Sequence, residues 1–139
     1  MLGDSGAAIV GVDLQKPADI LNAAYNDAQG YTADFNLNLL TRLNREMGAN
    51  FDERRFRHRA FYNVAPGRVE MHLVSVLAQE VRIGDELFQF LPGETIHTEN
   101  SWKYTPGQFA ELAATAGFAV QRLFTDERGW FGVFLLRAE

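Results

Sequence analysis

The sequence predicts an α/β chain, or α+β if taken in isolation, in which an antiparallel region is set into an α/β frame. Three observations carry this. A nearly continuous apolar run, Ala7 to Leu14, leads directly into a helical pattern; the middle of the chain, from His58 to Leu91, alternates with period two between turn residues; and the chain closes as helix, strand, turn, strand. Strands followed by helices imply a covered sheet, whereas successive hairpins imply antiparallel β. The middle region therefore reads as an insertion or cap.

At 139 residues the chain is long enough for one domain with a real core. An apolar fraction of 47% and an aromatic fraction of 12% exclude a disordered tail. The formal net charge is −5, with acids and bases mixed along the chain, so neither nucleic acid nor an anionic membrane is expected as a partner. There is no cysteine, which excludes disulfides, zinc-thiolate sites and cysteine nucleophiles. No segment approaches membrane-spanning length, and residues 1–6 lack the features of a signal peptide. A cytoplasmic location is the expectation.

Ala7 to Leu14 reads as a strand covered on both faces in a parallel or mixed sheet. A central strand this early implies that the sheet has lost preceding elements. Gln15 to Asp27 reads as a helix with Pro17 in its first turn and a stripe of Ile20, Leu21, Ala24 and Tyr25, which leaves Tyr25 at the helix end beside a loop. Thr32 to Met47 is the longest helix: Phe35, Leu39, Leu43 and Met47 recur every fourth residue, Thr32 is the expected N-cap, and Gly48 the stop. Asp52 to Phe56 reads as a short helical turn.

The period then changes. Arg59 to Asn63 and Val69 to Leu77 flank a turn at Ala65 to Arg68, with Val69, Met71, Leu73 and Ser75 on one face and Glu70, His72 and Val74 on the other. Gln79 to Ile83 and Glu86 to Leu91 form a second hairpin around Gly84-Asp85. Thr105-Pro106-Gly107-Gln108 is a capping box that starts a helix with Phe109, Leu112, Ala113 and Ala116 as its buried stripe. Phe118 to Thr125 and Trp130 to Arg137 complete the chain as two strands, an order in which the Rossmann-like sheet of many S-adenosylmethionine-dependent methyltransferases also ends.

Chemistry concentrates in Gly93 to Tyr104, where acids, hydroxyls, a histidine, a lysine and aromatics precede a helix start. His58, His72 and His97 have no metal-ligand spacing, so the motifs give no metal site. No Gly-x-Ser-x-Gly turn, Gly-x-Gly-x-x-Gly loop or phosphate loop is present. Glu99 and Ser101 are the best pair: on an extended segment they share a side, roughly 7 Å apart. An acceptor beside a hydroxyl suits a planar group with ring N–H donors or a cationic amine, and Tyr25 and Tyr62 are candidate walls. The bland reading is a solvated carboxylate and a serine that caps the coming turn.

Four stretches, Ala24-Tyr25-Asn26-Asp27-Ala28-Gln29-Gly30, Thr32-Ala33-Asp34-Phe35-Asn36 through Glu46, His58-Arg59-Ala60-Phe61-Tyr62-Asn63, and Glu94 to Tyr104, together resemble the histidine-specific, S-adenosylmethionine-dependent methyltransferase family, whose best-known member serves ergothioneine biosynthesis and whose other members act on other amino acids. The resemblance runs from about Ala7 to the C-terminus. It implies a Rossmann-like methyltransferase sheet with an inserted substrate-recognition region: residues 1–24 as the end of the core, 25–98 as the insertion, and 99–139 as the return to the core. It further implies that methyl groups pass to the α-nitrogen of an amino acid, that Glu99 and Ser101 hold an imidazole, that Tyr25 fixes the amino-acid head group, and that Thr32 and Met71 line the pocket.

No metal and no catalytic residue are implied. The family's cofactor half, with its glycine-rich loop, precedes the position of Ala7. S-adenosylmethionine is therefore expected of the full-length family and not of this chain alone, which is expected to be inactive or nearly so. Trp102 stands where a smaller or phenolic side chain is expected, which bears on the exact substrate. The alternative, from another class, is a non-catalytic module that binds a small ligand or a protein. A sheet cut beside Ala7 to Leu14 also allows a homo-oligomer.

Overall fold

The computed structural model describes residues 6–139. In chain order the elements are β1 (Ala7–Asp13), α1 (Ala18–Tyr25), α2 (Tyr31–Met47), a 3-10 turn (Glu53–Arg55), β2 (Phe56–Asn63), β3 (Arg68–Ser75), β4 (Gln79–Ile83), β5 (Glu86–Phe90), β6 (Thr95–Trp102), α3 (Pro106–Thr115), β7 (Phe118–Thr125) and β8 (Phe131–Ala138). They form two compact units: the described part of Met1–Pro17 with Ala65–Gly67 and Trp102–Glu139, and Ala18–Val64 with Arg68–Ser101. The expected elements are thus present in a mixed α/β chain whose paired strands are antiparallel. Among the described residues no helix is long and apolar enough to cross a membrane.

In the first unit the strand order is β1-β8-β7, with β8 antiparallel to both neighbours. Its core joins Val12, Leu14, Phe134 and Leu136 to Ala113 of α3, and each such large side chain taken out of water contributes about 2 kcal/mol. The helix starts as the sequence predicts. Thr105 accepts a hydrogen bond from the Gln108 amide, while the Gln108 side chain accepts from the Thr105 amide.

Two expectations fail in this unit. β1 is not covered on both faces: it pairs antiparallel with β8 and alternates, with Val12 buried and Ile9 75% exposed. An apolar run does not by itself say how many faces are covered. On α3 the expected stripe holds only in part: Ala116 is the exposed C-cap, and Leu112 is 48% exposed because Phe109 and Ala113, four apart, already fill the contact with Phe134.

The second unit has a β2-β3-β6 sheet, a β4-β5 hairpin, and two helices. Leu21 of α1 packs with Ala60, Val69 and Met71, and Leu40 of α2 packs with Phe56 and Leu73. The residues of β2 and β3 in both clusters share one alternation phase, so both helices cover the same sheet face. Val69, Met71, Leu73 and Ser75 point inward as the hairpin pattern predicts. Asn26 clips the free edge of β2 by accepting from the Ala60 amide and donating to its carbonyl, and Asn22 accepts from the Tyr62 amide. An edge strand otherwise leaves these groups bare.

The long helix is rotated from its expected phase. Phe35 and Met47 are 66% and 57% exposed, whereas Asn36 and Leu40 are buried. Four residues advance about 400° around a helix, so a strict every-fourth stripe drifts about 40° per step and cannot stay on one face. Positions 36, 40 and 43, spaced four and three apart, hold the face instead. Nor is Thr32 the N-cap: α2 begins at Tyr31 after left-handed Gly30, and α1 begins at Ala18, just past Pro17.

Candidate functional site

The second unit gathers its polar side chains where α1 ends, α2 begins and β6 passes. Tyr25 is the last residue of α1, and its hydroxyl lies 2.7 Å from that of Ser101 on β6. Its carbonyl oxygen accepts a hydrogen bond of 2.8 Å from Nε2 of His58 on β2. That leaves His58 Nδ1 as the acceptor for the side-chain amide of Asn36, 3.0 Å away, which fixes the neutral tautomer with its proton on Nε2.

Asn36 is 97% buried, its exposure being 3%, and all its side-chain groups are used. The amide also donates to the His72 carbonyl at 3.1 Å, and Oδ1 lies 2.6 Å from the hydroxyl of Thr98, which is 3.0 Å from the Met71 carbonyl. The Thr98 hydroxyl has one hydrogen and serves one of these acceptors at a time. The chain Ser101, Tyr25, His58, Asn36, Thr98 thereby links α1, α2, β2 and β6. Buried polar networks that are fully satisfied hold their members in one arrangement.

β6 does not alternate strictly. Ile96 and Thr98 turn inward, Glu99 and Asn100 are both exposed, and Ser101 is half-buried again. Thr98 reaches Asn36 on α2 and Ser101 reaches Tyr25 on α1, so residues three apart contact helices on one face. An inserted residue is needed for that, and Glu99-Asn100 supplies it. Glu99 borders a cavity of about 160 Å³ with Phe35, Asn36, Asn38, Arg42 and Thr98.

Of the five residues singled out from the sequence, Tyr25 and Ser101 are in direct contact. Met71 is buried against Leu21, Ala60 and Val69. Thr32 stands in the first turn of α2, where its amide and that of Tyr31 donate to the Asp27 carboxylate at 2.9 Å each. Hydrogen bonds from Thr32, side chain first and then backbone, outweigh desolvation and hold Asp27 at about 2. Glu99 lines the cavity, which does not include Tyr25, Thr32, Met71 or Ser101.

Asn36, His58 and Thr98 were not singled out from the sequence. Asn36 had a signal, since it falls in phase with Leu40 and Leu43, where an unpaired amide would be costly. His58 and Thr98 had none, because their partners lie 22 and 62 positions from them.

The sheet's opposite face carries a second cluster. Phe61, His72 and His97 stack in turn, with centroids 5.4 and 4.4 Å apart. Glu70 is ion-paired to Arg68 at 2.7 Å, and the Arg68 hydrogen bond, with those of Asn63 and His72, outweighs burial to hold it at about 2.

This architecture has relatives. The model of the histidine-specific, S-adenosylmethionine-dependent methyltransferase family matches residues 1–138, and the chain belongs to that family. It is 43% identical to the histidine N-alpha-methyltransferase of Mycobacterium tuberculosis (strain CDC 1551 / Oshkosh) over 135 residues, 96% of this chain and 41% of that protein. The enzyme of the same name from Mycolicibacterium smegmatis is 41% identical over the same shares. The ergothioneine biosynthesis protein 1 of Schizosaccharomyces pombe is 27% identical over 111 residues, 79% of this chain and 14% of that protein. The chain thus spans about two fifths of the length of the bacterial relatives.

Proposed function

We propose that this chain is the amino-acid-recognising, C-terminal portion of an S-adenosylmethionine-dependent Nα-methyltransferase whose substrate is histidine. The observation that carries the reading is the 2.7 Å contact between Tyr25 and Ser101, beside a Glu99 that borders a cavity. In this reading Glu99 accepts an imidazole N–H, Ser101 holds the other ring nitrogen, Tyr25 turns its hydroxyl to the amino-acid head group, and Thr32 and Met71 close the pocket. Residues 25–98 are then the recognition region, completed by Glu99 and Ser101 from the segment that follows.

The chemistry asks little else of these residues. Methyl transfer to an amine needs a neutral lone pair aligned with the donor, so binding energy spent on the ring and head group goes into orientation. A carboxylate that bound substrate covers from water, and that is left unpaired, penalises any analogue without a ring N–H, which gives strong discrimination.

S-adenosylmethionine supplies the methyl group in such an enzyme. Among the described residues no strand leads through a glycine-rich turn into a helix; β1 runs into α1 through Leu14-Gln15-Lys16-Pro17. The described residues therefore offer no such cofactor loop, and we infer that the cofactor half lies elsewhere in the complete enzyme. The β1-β8-β7 order supports a Rossmann-like sheet end, since antiparallel β8 leaves β1 and β7 parallel. Exposed Ile9 and Phe131 mark a surface that the rest of that sheet, or a second copy, would cover.

Calorimetry with histidine, phenylalanine and ring-methylated histidines tests the reading. Histidine is expected to bind best, with Glu99→Ala losing at least tenfold in affinity at nearly unchanged stability. Equal affinity for phenylalanine, or a stability loss matching the affinity loss, would sink it. Joining the relatives' preceding segment to this chain is expected to restore methyl transfer.

A further inference from the structure

The outer face of the β2-β3-β6 sheet holds a constellation that the amino-acid site does not use. One ligating atom each of Glu70, His72 and His97 lies within 4.8 Å of the other two. Glu70 Oε1 is taken by Arg68 at 2.7 Å and Asn63 at 3.1 Å, while Oε2 faces His72 Nε2 at 3.3 Å. His72 Nδ1 is buried and has no hydrogen-bond partner among the described residues. A buried ring nitrogen of this kind is met by a water, and it is the other nitrogen, Nε2, that faces the Glu70 carboxylate.

We propose that Glu70, His72 and His97 bind a divalent transition cation of borderline softness, with Zn²⁺ as the probe. Two imidazoles and a carboxylate are a zinc donor set, and a fourth position stays open to water. The 3.3 Å separation of Glu70 Oε2 and His72 Nε2 is close to the edge of a tetrahedron, about 3.4 Å, for ligands about 2.1 Å from the ion. The Arg68 guanidinium bonds Glu70 through Oε1, while Oε2 is the oxygen that faces His72.

His97 is the moving part. Its ring lies 19° from parallel to that of His72, which aims the two rings' nitrogens side by side rather than at one point. His97 is exposed, and its Nε2 is hydrogen-bonded to the Glu99 carbonyl at 3.1 Å, so a turn of this ring closes the site. Spacing rules missed the cluster because its ligands come from two strands. His58, the remaining histidine, already uses both ring nitrogens.

The test is calorimetric titration of Zn²⁺ into the untagged, metal-free chain at pH 7.5, with His97→Gln and His72→Gln as variants and Mg²⁺ as the hard-ion control. One Zn²⁺ per chain is expected, weakened at least tenfold by either substitution. Mg²⁺, which prefers oxygen ligands, is expected to give no saturable heat. Because His97 is exposed, His97→Gln keeps the fold, and circular dichroism verifies it. Wild-type affinity in His97→Gln, absence of saturable Zn²⁺ binding, or equal binding of Mg²⁺ would each overturn the proposal.

Discussion

The hydroxyls of Tyr25 and Ser101 stand 2.7 Å apart although 76 positions separate them. Neither is at the end of a flexible loop: Tyr25 closes α1, whose Asn22 and Asn26 clip the edge of β2, and Ser101 lies on β6. The contact is therefore set by the packing of α1 on the sheet. A double-mutant cycle of Tyr25→Phe and Ser101→Ala is expected to give a coupling of about 1 kcal/mol in urea unfolding. Additive losses would mean that the two hydroxyls are merely neighbours.

Asn36 is the joint of the second unit. Asn36→Ala removes partners from His58 Nδ1, the His72 carbonyl and the Thr98 hydroxyl together. Groups left bare in the interior cost about 1–3 kcal/mol each, partly relieved by water. The expected loss is about 3 kcal/mol by denaturant titration, and a loss under about 1 kcal/mol would show that the network carries little.

In the first unit, the Lys103 ammonium is buried and lies 2.8 Å from Asp13, which also bonds Lys16 at 2.5 Å. Burial raises the Asp13 pKa, but the hydrogen bonds and charges of Lys103 and Lys16 outweigh it and leave the group below its ordinary value. Asp13→Ala takes the carboxylate from a buried ammonium and is expected to cost about 3 kcal/mol. Lys103→Met, which keeps the Lys16 pair and packs an apolar stem, is expected to cost less than half of that. Equal losses measured by thermal unfolding would contradict this asymmetry.

Asp27 gives a pH dependence with a definite sign. Its folded pKa is lowered from 3.8 to about 2, so its contribution is present above the unfolded value and lost as pH falls through the folded one. The Tyr31 and Thr32 amides are expected to shift in NMR spectra between pH 4 and 2. The same amides in Asp27→Asn are expected not to titrate, and titration there would assign the shift to another group.

Much of the fold was legible because its signals are local. The capping box at Thr105 to Gln108, the positive-φ glycines Gly48 and Gly84 beside the elements they stop, and the inward phase of Val69, Met71 and Leu73 each follow from a few neighbouring residues. The phase of α2 was not legible. Phe35 and Met47 carry the apolar signal, yet the buried face is decided by which residues meet Phe56 and Leu73 across the sheet, and that choice admitted an asparagine. Thr32 likewise had the chemistry of a cap, but Asp27 reaches the same amides from the preceding loop.

The sequence by itself determined the order and kind of the elements, the family, and the polar stretch from Gly93 to Tyr104 as the place to look. These depend on backbone propensities and hydrophobic periods that act over a few residues. The tertiary structure alone decided that Ser101 meets Tyr25, that β6 carries an extra residue at Glu99-Asn100, that Asn36 is buried, and that His72 and His97 stack. Each of these is a contact between segments distant in the chain. Such contacts are fixed when sheet register and helix packing bring the segments together, and no local pattern encodes that meeting.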